Sequence, residues 1–401
     1  MLFEQMEPNE RFRARREAAR RRRRRRRAVA FGLLLGVTAS ATLGARFVID
    51  EEHASSAAPT AAPAAKRPAA EAAPVKQPRA FPDEMRGIHV TMALASIDGK
   101  LEEYLELVDE GLNTIQLDVK DENGEIGFVP SAVPLATEVR AARPYYKPRE
   151  AARLVHAKGV YLIGRVVTFE DPMLSAGRPD LAIKNRDGSV WRNDAGLGWT
   201  NPYDKRVWDY NVSIAEVAAR AGFDEIQFDY VRFPTDGALD SIVYPGKTST
   251  PPGWVIAEFL HYATKRLKPL GVRVSADVFG LSATRDLGIG QVPRRLAKYL
   301  DAIYPMVYPS HYGKGEYGLD DPNAMPGDTV EWSLADFRRE LKASKSKTLL
   351  VPWLQDFSYG RDYGPDEVRA QIEAARLMGA RGYLLWNPSG VYTPGMLAPA
   401  S

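Results

Sequence analysis

From Met85 onward a short apolar run recurs eight times, and a longer stretch with helical spacing follows each of the first seven. The short runs are RGIHV (86–90), NTIQLDV (113–119), VYLIGRVV (160–167), DEIQFDYV (224–231), VRVSADVF (272–279), AIYPMVY (302–308), LLVPWL (349–354) and GYLLW (382–386). Helical stretches fall between them. Leu101, Tyr104, Leu105 and Val108 make an i, i+3, i+4, i+7 stripe, and 147–158, 204–221, 254–270, 292–300, 334–343 and 365–378 follow. Gly111, Gly159, Gly222, Gly271 and Gly379 close helices just before a strand, where a left-handed cap costs glycine little. Strands joined through helices run parallel, because a tight hairpin can only join antiparallel neighbours. Eight such units predict a closed (β/α)8 TIM barrel. An open doubly wound sheet calls for a Gly-rich turn after the first strand, and none is present. Prolines 388, 394 and 399 follow the last strand run, so the eighth helix is expected to be short or missing.

The part before the barrel has another character. Residues 1–27 are polar and end in eight arginines, Arg20 to Arg27. An uncharged run follows at 28–45 (AVAFGLLLGVTASATLGA), and eighteen residues at ~1.5 Å rise reach roughly 27 Å, enough for a bilayer core. Arginines beside it keep that side cytoplasmic. The expectation is a single-pass cell-membrane anchor with residues 82–401 outside the cytoplasm; a cleaved signal peptide releasing a secreted domain is the alternative. Residues 46–81, rich in Ala and Pro, read as a disordered linker. Charge follows the same division: 17 Lys+Arg against 8 Asp+Glu in 1–81, and 37 against 43 in the remainder. The folded part is therefore acidic and is not expected to bind nucleic acid. Without cysteine, disulfides, thiolate metal sites and cysteine nucleophiles are excluded. Oligomeric state is not legible.

Side chains on a barrel strand point alternately inward and toward the helices. Apolar Ile115 and Leu117, Ile226 and Phe228, and Val274 and Ala276 take one parity. Gln116 and Asp118, Gln227 and Asp229, and Ser275 and Asp277 take the other, so three aspartates are expected at the C-terminal mouth, where barrel enzymes carry their chemistry. Gathered carboxylates need partners, and Arg165 and Arg232 are the candidates. A salt-bridge network closing the barrel is the structural alternative. Tyr308, Tyr312, Trp353, Phe357 and Trp386 lie at or past strand ends and suit stacking on sugar rings, with Trp191 and Trp199 in the long loop 170–203. His89 and His311 read equally as site or structural histidines. The five histidines lack metal-ligand spacing; no metal or cofactor is expected. Gly246-Lys247-Thr248 lacks the first glycine of a phosphate loop, and Asp121-Glu122-Asn123-Gly124 reads as a turn.

The segments FDEIQFDYVRFP (223–234), VSADVFGL (274–281), PMVYPSHYG (305–313), PWLQDF (352–357) and LLWNPS (384–389) occur in order. In them the chain resembles the putative glycoside hydrolase family of bacteria long catalogued as a domain of unknown function. The resemblance spans roughly 85–400 and implies a TIM barrel that hydrolyses glycosidic bonds. It implies Asp229 as nucleophile, Asp277 as acid/base and Asp356 as the rival acid. Arg232 is expected to hold the Asp229 carboxylate. His89, Asp118, Arg165, Arg232, Tyr308, His311, Trp353, Trp386 and Asn387 are expected to bind a polysaccharide substrate. A non-catalytic envelope carbohydrate-binding protein, a polysaccharide lyase and a metal-assisted hydrolase remain alternatives.

Overall fold

The computed structural model describes residues 77–400. Its strands are β1 (Met85–Val90), β2 (Thr114–Lys120), β3 (Tyr161–Val167), β4 (Glu225–Asp229), β5 (Arg273–Phe279), β6 (Ala302–Val307), β7 (Leu349–Leu350), β8 (Trp353–Gln355) and β9 (Gly382–Trp386). They form one closed sheet in the order β5-β4-β3-β2-β1-β9-β8-β6-β7, with β5 pairing β6 to close it. Every strand-to-strand pairing is parallel. β7 and β8 are two halves of one stave, since both pair with β6. The break falls at Pro352, which has no N–H for a ladder. The eightfold barrel is thus the one expected.

At least one α-helix separates each stave from the next, the longest in each gap being α1 (Lys100–Glu106), α2 (Pro148–Ala157), α3 (Lys205–Ala221), α4 (Pro252–Leu267), α5 (Pro293–Leu296), α6 (Pro326–Ser344) and α7 (Pro365–Leu377). α3 shows the local logic. The Asp204 carboxylate accepts from the Arg206 N–H at its start, and Gly222 ends it at φ 113°. Its buried face runs through Val207, Asn211, Ile214, Ala215 and Ala218, the spacing of one helical stripe. Two helices differ from expectation. α5 is a single turn, and α6 begins at Pro326, ahead of the expected start, because Pro supplies a helical φ at the first turn.

Side-chain parity is as expected. Ile115, Leu117, Ile226, Phe228, Val274 and Ala276 belong to the apolar layer under the helices. Met85, Tyr161, Ile163, Tyr304, Trp353 and Leu384 pack together as a separate cluster inside the barrel.

Among the described residues, no eighth helix follows β9. The segment 387–400 takes its place: the Tyr104 hydroxyl donates to the Gly390 carbonyl (2.7 Å), the Gly395 N–H donates to Glu110 (3.2 Å), and Met396 and Leu397 are buried. The Leu397 carbonyl lies where a Cβ on Gly111 would sit, so only glycine fits there.

The basic segment 1–27, the apolar run 28–45 and the linker as far as residue 76 lie outside the described residues. The end of the assigned linker is docked. Arg79 donates to the Gly159 carbonyl (3.0 Å), and the Phe81 ring lies 5.7 Å from Tyr161 at the barrel floor. Among the described residues, no helix is long and apolar enough to cross a membrane.

Candidate active site

Each inward row carries its polar residues upward to the mouth. On β2, β3 and β4 the register sets Asp118 beside Arg165 and Val167 beside Asp229. The Arg165 guanidinium then bridges two carboxylates. Its Nε donates to Asp229 Oδ2 (2.9 Å), its Nη2 lies 2.7 Å from the same oxygen, and its Nη1 donates to Asp118 Oδ1 (2.9 Å). Arg165 is buried, and the surrounding carboxylates lift its pKa well above the usual guanidinium range against the cost of burial. Such a charge-assisted contact holds the Asp229 carboxylate in position. Arg232 does not do this. Its guanidinium stacks near Phe279, Trp199 and Tyr230 (4.7–5.0 Å) and donates to Thr235 and the Phe233 carbonyl. The expected partner of Asp229 is thus corrected: register, not sequence proximity, decides which arginine reaches it.

The turn after β4 adds a second restraint. Tyr230 has φ 48°, a left-handed conformation unusual for an aromatic residue, and its N–H donates to Asp229 Oδ1 (2.7 Å). Strain of this kind persists where the surrounding structure demands it, and it concentrates at functional sites. Strict strand alternation would send Tyr230 toward the helices; the positive φ leaves it lining the mouth.

Asp277, on β5, has different company. It is buried, and the Trp353 indole N–H donates to its Oδ1 (2.7 Å). Burial raises its pKa well above the carboxylate range, and the charge of Asp229 raises it further. Burial thus favours the neutral form of Asp277, while Asp229 is paired with a cation. Both line one cavity of about 400 Å³, together with Arg165, Arg232, Tyr308, His311, Trp353 and Trp386.

Other expected site residues sit elsewhere. Asp118 is buried beneath Arg165, burial lifting its pKa to about 6, and it positions that guanidinium without facing the cavity. His89 is also buried below the mouth: its Nδ1 bonds Gln116 Oε1, and its ring packs 4.5 Å from Trp386. Burial pushes its pKa down to about 3, so it stays neutral. Asp356 does not line the cavity, because both its oxygens accept from Thr393, by the backbone N–H and the hydroxyl. Asn387 donates to the Asp356 carbonyl and accepts from the Ser389 N–H, which ties it to the same tail. Trp191 and Trp199 are fully buried in the loop after β3. Tyr308, His311 and Phe357 form an aromatic group at the mouth, 5.6–6.2 Å between ring centres.

Two carboxyls escaped the sequence reading. Glu122 reaches Arg165 Nη1 at 3.5 Å from a turn otherwise read correctly, where the Gly124 N–H donates to the Asp121 carbonyl. Glu170 is buried past β3, its pKa lifted to about 7 by burial despite the positive charge of Arg232. Their only signal was position, two or three residues beyond a strand end on the mouth side. Among the described residues, no group of three His, Asp or Glu side chains is placed to hold a metal ion.

A solved hypothetical protein from Ruminiclostridium thermocellum ATCC 27405 is 36% identical, over 48% of this chain and 97% of that one, with a TM-score of 0.43. The PgaB (BpsB) glycoside hydrolase domain from Bordetella bronchiseptica superposes with a TM-score of 0.57 at 13% identity, over 77% of this chain and 95% of that one, a likeness of fold. No protein of curated function matches. Residues 87–392 match the family described as "putative glycosyl hydrolase domain". The matched span takes in most of β1, every later strand and both cavity aspartates, and the chain belongs to this glycosyl hydrolase family.

Proposed function

We propose that the barrel hydrolyses glycosidic bonds of a polysaccharide through Asp229 and Asp277. One observation carries this reading: two aspartates line one cavity in opposite environments, Asp229 clamped by Arg165 and Asp277 buried against an indole N–H. Carboxyl groups whose surroundings separate their proton affinities are the usual basis of acid and base assignment. Asp277 gives its proton to the glycosidic oxygen as the C1–O bond breaks. In a retaining reaction Asp229 forms the new bond to C1, and Asp277, now a carboxylate, takes a proton from the water that releases the sugar. In an inverting reaction Asp229 takes the proton from water, and the water oxygen bonds C1 directly. The anomeric form of the first product separates the two. Tyr308 and Trp386 offer faces for sugar rings, while Trp353 orients Asp277.

The apolar run 28–45, adjoining Arg20 to Arg27, supports anchoring in the cell membrane with the barrel outside the cytoplasm. The testing experiment incubates the full chain and its Asp229→Asn variant with envelope, capsular and plant polysaccharides. New reducing ends and product masses are followed. Release by the unmodified chain alone is expected. Retention on a glycan by both chains, without release by either, points to a binding protein.

A further inference from the structure

A second cavity, of about 580 Å³, lies beside the first, and Gln291 lines both. Its wall continues directly from the catalytic one, Ser282 and Ala283 following Gly280 and Leu281. At its edge the Arg295 guanidinium stacks 4.0 Å from the ring centre of Trp254, whose side chain is 43% exposed. Gly253 makes the close approach possible, since a Cβ there would sit 2.7 Å from Arg295 Nη1.

The charges around this cavity are not balanced alike. Arg285 pairs with Glu316, Arg294 with Glu340 and Arg339 with Asp336. Arg295 has neither an ion-pair nor a hydrogen-bond partner for its guanidinium among the described residues, and only the indole meets it. Stacking on the indole covers the face of a guanidinium but leaves its N–H edge, the part that recognises a carboxylate or phosphate. A second, independent feature borders the same space. Ser282 is 6% exposed, lines this cavity, and its hydroxyl has no partner. A buried hydroxyl without a partner is costly until some group meets it.

We propose that this second cavity binds an anionic residue of a polysaccharide, with Arg295 meeting the charge, Trp254 the ring and Ser282 a hydroxyl. On the hydrolytic reading above, the substrate is then an acidic glycan lying across both cavities. Carboxylate and phosphate share the required chemistry.

The test uses the full chain carrying Asp229→Asn, so that turnover does not consume the probe. Binding is measured to polygalacturonate and alginate, each against its carboxyl-reduced neutral counterpart, and to poly(glycerol phosphate). The expected result is an anionic polymer bound at least about tenfold more tightly than the neutral ones, a margin that narrows with salt. Added Arg295→Gln or Trp254→Ala removes that margin, and melting temperatures confirm folded chains. Trp254 is half exposed, so its variant carries the test if Arg295→Gln fails to fold. A preference for polyuronates identifies a carboxylate; a preference for the glycerol phosphate polymer identifies a phosphate. Equal binding of charged and neutral polymers, or a preference surviving both substitutions, overturns the proposal. Hydrolysis of neutral polymers by the unmodified chain with no anionic preference sinks this site and leaves the hydrolase reading standing. An Arg295-dependent preference in a chain that releases no reducing ends from any polymer does the reverse.

Discussion

The floor and the mouth of the barrel both bury carboxyl groups, and they treat them in opposite ways. At the floor, Glu225 is fully buried, accepts from the Tyr161 hydroxyl (3.1 Å) and from Ser275, and has no cation in its ring of partners. Burial lifts its pKa to about 7 against the lowering effect of these hydroxyl donors. At the mouth, Arg165 gathers Asp229 and Asp118, and Asp277 stays without an ion-pair partner among the described residues. Hydroxyls satisfy a carboxyl in either protonation state, whereas a guanidinium selects the anion. The floor is built for packing, and the mouth is built to keep two carboxyls different.

The largest expected effect breaks the mouth. Asp229→Asn or Asp277→Asn is predicted to cut kcat on a cleaved polysaccharide at least about a thousandfold, measured by reducing-end release. Activity within a few-fold of the parent would remove that aspartate from the mechanism. Next, Arg165→Gln leaves two buried carboxylates without their cation. A loss of about 3–5 kcal/mol in urea unfolding is expected at neutral pH, with activity lost too. Full stability would mean that the clamp is dispensable.

A change at the floor is expected to move stability and not catalysis. The folded pKa of Glu225, about 7, lies above its ordinary 4.5, so its stabilising contribution is complete below pH 4.5 and is lost as pH rises through about 7. That difference corresponds to about 3 kcal/mol. Glu225→Gln should flatten this part of the pH–stability curve while kcat at pH 6 is kept; an unchanged slope would show that Glu225 titrates normally. The smallest effect concerns Asp277. The Trp353 indole favours its charged form, so Trp353→Phe should raise the Asp277 pKa and move the alkaline limb of the activity profile to higher pH. A shift toward lower pH would contradict Asp277 as the acid.

Much of this contrast was readable before the structure, because alternation along a strand is a local property. Gln116 with Asp118, Gln227 with Asp229 and Ser275 with Asp277 fell on the inward parity by counting residues alone. What counting could not supply was the register between strands. Arg232 looked the natural partner of Asp229 at three residues' distance, yet Arg165 on the neighbouring strand takes it. Loops were less legible still. Asp356 carries the same chemistry as the other aspartates, but Thr393, almost forty residues away, turns it into a tie for the tail. Tyr230 was hidden by its own backbone, since a positive φ reverses the direction that parity assigns. The replacement of the eighth helix by a docked tail could be foreseen only as a gap.

The pairing of β9 with β1 carries a consequence for how the molecule is made. Met85 meets Gly382, about three hundred residues later in the chain. Until β9 is synthesised, β1 has an open edge and the sheet cannot close. Contacts this distant in sequence make folding slow, and open edges invite pairing with other chains. A chain made residue by residue must therefore hold seven staves unsealed and wait for the last. The time a nascent barrel spends in that open state, more than its final stability, sets its exposure to aggregation and proteolysis.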